Sequence, residues 1–150
     1  MADPNFAQAA RRHFSDAQHL CAEGRLPNAD HLGGLSAECG LKALAVEVFG
    51  GRIKRGFAHH PSTGNPLKSH VGQGTQLWTE VASLAQGRQE PEVMALFTAT
   101  NPFEDWDVAD RYSDGTHLKS TVVHHHLEGA RLVIRALEAA LISGIGGSTE

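Results

Sequence analysis

The sequence is poor in cysteine, in aromatic residues and in long apolar runs. Of its 150 residues, two are Cys, two are Trp and one is Tyr. Two cysteines cannot staple a disulfide scaffold, and they fit a reducing compartment. No stretch approaches the ~20 consecutive apolar residues of a membrane-spanning helix. The opening MADPNFAQAARRHF has neither the apolar segment nor the cleavage site of a secretory leader. A cytoplasmic protein with no membrane association is the expectation. An excess of positive charge is also missing. Thirteen Lys and Arg face 17 Asp and Glu, a net charge of −4, so the chain as a whole is not a basic nucleic-acid clamp. The acidity is concentrated in the second half, whereas residues 1–75 carry a slight positive excess. With 41% hydrophobic and 20% charged residues the composition is that of a globular protein, and the length fits one domain. That domain is expected over residues 1–143, with 144–150 a flexible tail. What is abundant is histidine, ten residues of it, the side chain that titrates near neutral pH and ligates metals.

Val and Ile are too scattered for strands, and the apolar residues recur at helical spacing. Phe6, Ala10, His13, Phe14, Ala17, Leu20 and Cys21 define one face of a helix over about 5–23. Gly24 and Pro27 end it, and Asn28 is the candidate N-cap of a second helix over about 28–49. That helix has two apolar stripes, which suits a central position or a dimer interface. Residues 50–67 lack periodicity and read as a long loop. A third helix is expected over about 68–86 and a shorter one after Pro91. Residues 100–119 form a second long connection, acidic and aromatic. The last helix is expected over about 120–142, with Ser120 as N-cap. Its outer face pairs Glu128 with Arg131 and Arg135 with Glu138 at i,i+3 spacing. The fold class is all-α, an antiparallel up-and-down bundle of four to five helices.

Several residues stand apart from the core pattern. His31, Glu38 and Lys42 share one face of helix two. They form either an exposed Glu38–Lys42 ion pair with His31 above it, or a polar network facing a cleft or a dimer partner. His124, His125 and His126 point ~100° apart on a helix, so they cannot all bind one ion. His124 and Glu128 supply two ligands at most, and no HExxH or CxxC is present, so no metal site is assigned. No cofactor motif is found either: Gly72-Gln73-Gly74 lacks a preceding strand, and the terminal GIGGS follows a helix rather than opening one. Cys21 and Cys39 lie on apolar stripes and read as core residues. The best chemical pair is Arg111 with His117. Arg grips phosphate with a planar fork, and His moves a proton at neutral pH. Arg followed by His after four to six residues occurs five times in this chain, against roughly two from composition alone, so spacing by itself does not select this pair. Arg111 has a structural alternative, an anchor to Asp107 or Asp110 beneath Trp106 and Tyr112. Arg52, Lys54 and Arg55 form the one basic cluster and are candidate RNA contacts.

Three blocks, ADHLGGLSAECGLKAL at 29–44, NPFEDWDVADRY at 101–112 and HHLEGARLVIRALEAAL at 125–141, resemble small bacterial HEPN-domain proteins, and their order fits as well. The resemblance implies an all-α bundle that is commonly dimeric. It also implies a metal-independent endoribonuclease with an Arg-x4–6-His motif, of the kind found in toxin–antitoxin and anti-phage systems. Carried over, Arg111 and His117 are the catalytic pair. Glu38, Lys42, His31, Tyr112, Asp110 and Trp106 are then binding or supporting residues. RNA or a nucleotide, a second copy of the chain, and a cognate antitoxin or defence protein are the expected partners. The alternative is a family member without catalysis, a dimeric module that binds a nucleotide or a partner protein.

Overall fold

The computed structural model describes residues 3–72 and 76–147, without the side chains of 145–147. Helix α1 spans Phe6–Ala22, and its N-cap Asn5 accepts a hydrogen bond from the Gln8 amide at 3.0 Å. Helix α2 spans Leu26–Ala43 and passes into a π-helical turn at Leu44–Val48. It starts at Leu26 with Pro27 in its first turn, where the missing N–H costs nothing, so Asn28 is not its cap. Two short strands follow, β1 (Arg52–Lys54) and β2 (Phe57–His59). They pair antiparallel, with Ile53 opposite Ala58. Their two-residue turn places Arg55 and Gly56 at φ 53° and 82°, the twist a tight hairpin needs. The loop expected over 50–67 therefore contains a hairpin, too short to show alternation in the sequence.

Helix α3 covers only Leu77–Leu84, and α4 covers Pro91–Thr98. The expected start of α3 at 68 fails because Val71 is buried from irregular, bent chain, not from a helix. A 3-10 turn at Val108–Tyr112 leads to α5, Ser120–Gly147. Ser120 is the first residue of α5 rather than its cap, and the helix passes through Gly144, where a flexible tail was expected. Residues 148–150 lie outside the described residues.

Helix α2 is the hub. It packs along α1 on one side and α5 on the other, while α3 and α4 close the far end. The Ser36 hydroxyl donates to the Ala10 carbonyl at 2.7 Å in the buried α1–α2 seam. Leu41, Leu44, Val71, Leu77, Phe103, Trp106, Val133 and Leu137 form the main core. Ala17, Ala29, Val123 and Leu127 form a second cluster near the start of α2. The chain is thus mostly helical with a small two-stranded sheet. Among the described residues no helix is long and apolar enough to cross a membrane. On the outer face of α5, Arg131 pairs with Glu128 as the spacing predicts, but Glu138 reaches across to Arg11 of α1 at 3.3 Å instead of pairing with Arg135.

Candidate functional site

The three blocks singled out in the sequence meet in space. Trp106 is fully buried against α2, and its indole N–H donates to the Asp30 carbonyl at 2.9 Å. It fits because two neighbours have no side chain. A Cβ on Gly34 would fall 2.0 Å from the Trp106 ring, and one on Gly72 would fall 2.1 Å from its carbonyl oxygen. Trp106 is therefore a wedge between α2 and the 70–72 segment. The His31 ring stacks beside it, with centroids 6.3 Å apart and planes 13° apart.

Behind Trp106 lies a triad that the sequence did not disclose, with His126 and Asp30 buried and Asp105 exposed. His126 of α5 has no exposed surface. Its Nδ1 lies 2.6 Å from Asp30 Oδ1 and its Nε2 lies 2.7 Å from Asp105 Oδ1. Ionised carboxylates only accept hydrogen bonds, so both ring nitrogens donate and the ring is an imidazolium. Burial alone would lower its pKa, but the two carboxylates outweigh burial and raise it. The Asp105 carboxyl is lowered in turn: partial desolvation opposes this, and the His126 hydrogen bond and charge overcome it. The triad ties α2, the 103–107 connection and α5 together. Of the HHH run, only His126 is buried, which answers the question of what the run is for at one of its positions. A signal was present in the sequence: Asp30 sits on a face of α2 otherwise made of Ala and Gly, which is an odd place for an unpaired acid.

About two turns further along α2, Glu38 is buried, and its partner is not Lys42. Glu38 Oε1 lies 3.0 Å from His70 Nδ1 and accepts the Val71 amide at 3.3 Å. Burial pushes the Glu38 carboxyl up, against the opposing pull of His70 and Lys42. The Lys42 ammonium instead lies 5.9 Å from the Phe6 ring centroid. The Val71 carbonyl accepts from the Asn101 side chain at 3.1 Å, so Glu38 anchors the 70–72 strap that also covers Trp106. The three polar residues of the α2 stripe thus part company: Glu38 joins His70 and Val71, Lys42 lies over Phe6, and His31 stacks on Trp106.

The Arg111–His117 segment sits on the surface in front of this framework. Asp107 caps the 3-10 turn by accepting from the Ala109 amide at 2.9 Å. Asp110 Oδ1 lies 3.3 Å from His117 Nε2. Both acids that could anchor Arg111 are thus engaged elsewhere, and among the described residues no ion pair holds it. Its guanidinium lies 4.8 Å from the centroid of the Tyr112 ring, which is itself 79% exposed. The Asp114-Gly115 turn has a structural purpose. A Cβ on Gly115 would fall 2.3 Å from Pro27, so the turn docks on the start of α2 and folds His117 back onto Asp110. Arg111 is also near enough to His31 to act on it. The His31 pKa is lowered by burial first, then by Arg111 and by His13 of α1. His13 is lowered as well, by burial and by Arg12. His31 Nδ1 is buried with no hydrogen-bond partner among the described residues. Arg111, His31 and His117 thus lie around one corner of the molecule, with both ends of the 111–117 segment held in place.

Arg52, Lys54 and Arg55 lie on the hairpin beyond the C-terminal end of α2. His31 is near its N-terminal end, roughly 25 Å away at the helical rise per residue. The structure does not bring the basic hairpin to the Arg111 corner. Among the described residues no three His, Cys, Asp or Glu side chains converge as a metal site requires. Comparison with family models, with curated proteins and with solved structures gives no match.

Proposed function

We propose that this protein is a HEPN-like, metal-independent endoribonuclease, working as a cytoplasmic homodimer in a toxin–antitoxin or anti-phage system. The observation that carries the reading is the Asp110–His117 contact, which returns His117 to the turn bearing an unpaired Arg111. A carboxylate beside Nε2 favours the tautomer with its proton on that nitrogen, which leaves the lone pair on Nδ1. Nδ1 takes the proton of a ribose 2′-hydroxyl. The oxygen attacks the adjacent phosphorus, the bond to the 5′ oxygen breaks, and that oxygen takes a proton from solvent. Arg111 neutralises the charge that develops on the phosphate. Tyr112 offers a ring face for a base to stack on. The acidic surroundings, Asp105, Asp107, Asp110 and Asp114, oppose RNA binding, and Arg111 offsets them locally.

A second reading is a non-catalytic dimeric module that binds a nucleotide or a partner protein. It is favoured by the exposure of Tyr112 beneath Arg111, which suits binding without requiring a base. Incubation of a mixed RNA pool with purified protein in EDTA separates the two. The ribonuclease reading expects cleavage that is lost in both Arg111→Ala and His117→Ala. Intact RNA with all three proteins folded would leave the binding module.

A further inference from the structure

Cys21 and Cys39 both fall on apolar stripes, yet their surroundings differ. Cys39 is packed in α2, where burial pushes its thiol pKa up. Cys21, on the last turn of α1, opens on a groove of about 330 Å³ between α1 and α5. Its Sγ lies 3.6 Å from Nε2 of His124. The other nitrogen of that ring, Nδ1, lies 2.7 Å from the Ser120 carbonyl oxygen. A carbonyl oxygen only accepts, so Nδ1 carries the proton, and in the neutral ring Nε2 is left with the lone pair facing the thiol. The arrangement is a nucleophile, a base and a group that orients the base, which is the constellation that activates a side chain for attack. Phe14 and Leu127 give the groove apolar walls, and the paired Glu128 and Arg131 give it a charged rim.

We propose that Cys21 and His124 form a reactive thiol–imidazole site that exchanges with small peptide disulfides. His124 Nε2 takes the Cys21 proton, and the sulfur attacks one sulfur of the disulfide. The disulfide bond breaks, and Cys21 is oxidised to a mixed disulfide. The second sulfur leaves as a reduced thiolate and takes the proton from His124. The apolar walls receive the stem of the peptide thiol, and the charged rim meets its backbone ends. This site does not depend on the ribonuclease reading, because none of its residues belongs to the Arg111 corner.

The test is the rate of adduct formation with oxidised glutathione at pH 7, followed by intact mass and by peptide mapping. The expected result is one adduct at Cys21, forming about tenfold or more faster than on free cysteine. Cys39→Ser retains the reaction and Cys21→Ser abolishes it. His124→Gln, with an unchanged circular dichroism spectrum, slows it to the free-cysteine rate. Because both thiols are present in the unaltered protein, their relative labelling gives a second readout that needs no variant. An adduct forming equally fast at Cys39 would overturn the proposal, as would a Cys21 rate no greater than that of free cysteine or one unaffected by His124→Gln.

Discussion

Asp30 and His31 are adjacent on α2 and belong to two different regions of the molecule. Asp30 faces inward, where His126 and Asp105 complete a triad with every ring nitrogen satisfied. His31 faces the Arg111 corner, half-buried, with an Nδ1 that has no partner among the described residues and with Arg111 as its cationic neighbour. The first region holds a charge because it supplies two carboxylates. The second excludes a charge because burial and Arg111 disfavour it. A fully satisfied buried network fixes geometry. A surface corner with unengaged groups is where binding and proton transfer are possible. The difference assigns structure to one region and chemistry to the other.

The largest break in this comparison comes from His126→Ala. It leaves Asp30 buried without its partner, and removing one member of a buried ion pair costs about 3–5 kcal/mol. Thermal unfolding should fall by on the order of 10 °C for a domain of this size. Gly34→Ala comes next. Its Cβ collides with the Trp106 ring, so the Trp106 connection shifts, at about 1–3 kcal/mol by chemical denaturation.

The two histidines also predict opposite pH dependences. The raised pKa of His126 gives stability that is full below the unfolded value of 6.5 and is lost as pH rises through its folded value. The lowered pKa of His31 gives stability that is present above 6.5 and is lost as pH falls toward its folded value. Denaturation midpoints across pH should therefore lose their alkaline slope in His126→Gln and part of their acid slope in His31→Gln. The smallest stability effect is expected for Arg111→Ala and His117→Ala, within about 0.5 kcal/mol because both side chains are exposed. On the ribonuclease reading these same substitutions remove activity by roughly 10²-fold or more. A large loss of stability in either would return Arg111 to the role of a structural anchor.

The helices were legible because their signals are local. The apolar repeat from Phe6 to Cys21, Gly24, Pro27 and Pro91 act within one or two turns. Where the sequence misled, the deciding contact was distant. The expected helix at 68–72 gives way to chain that Glu38 and Asn101 hold from other elements, and residues 73–75 of that expected helix lie outside the described residues. The β1–β2 hairpin is three residues a side, too short for an alternation to stand out. At the candidate site, the sequence set Arg111, His117, Asp110 and Glu38 apart from the apolar pattern, whereas Trp106, expected to serve the site, is a residue of the main core. The pairings were not readable: Glu38 chose His70 over Lys42, and Asp110 chose His117 over Arg111. A helical repeat shows which residues share a face, but not what a loop 30 or 90 positions away will bring to it. Cys21 packs against the second core cluster, as its apolar stripe suggests. Its contact with His124 depends on how α1 and α5 cross.

The most direct measurement is a pH titration of the imidazole nitrogens by NMR in a single sample. The predicted result at pH 6.5 is a His126 ring mainly protonated at both nitrogens, beside a His31 ring that is mainly neutral. A His126 ring found as a single neutral tautomer, or a His31 ring that stays charged at that pH, would contradict the division between the buried clamp and the Arg111 corner.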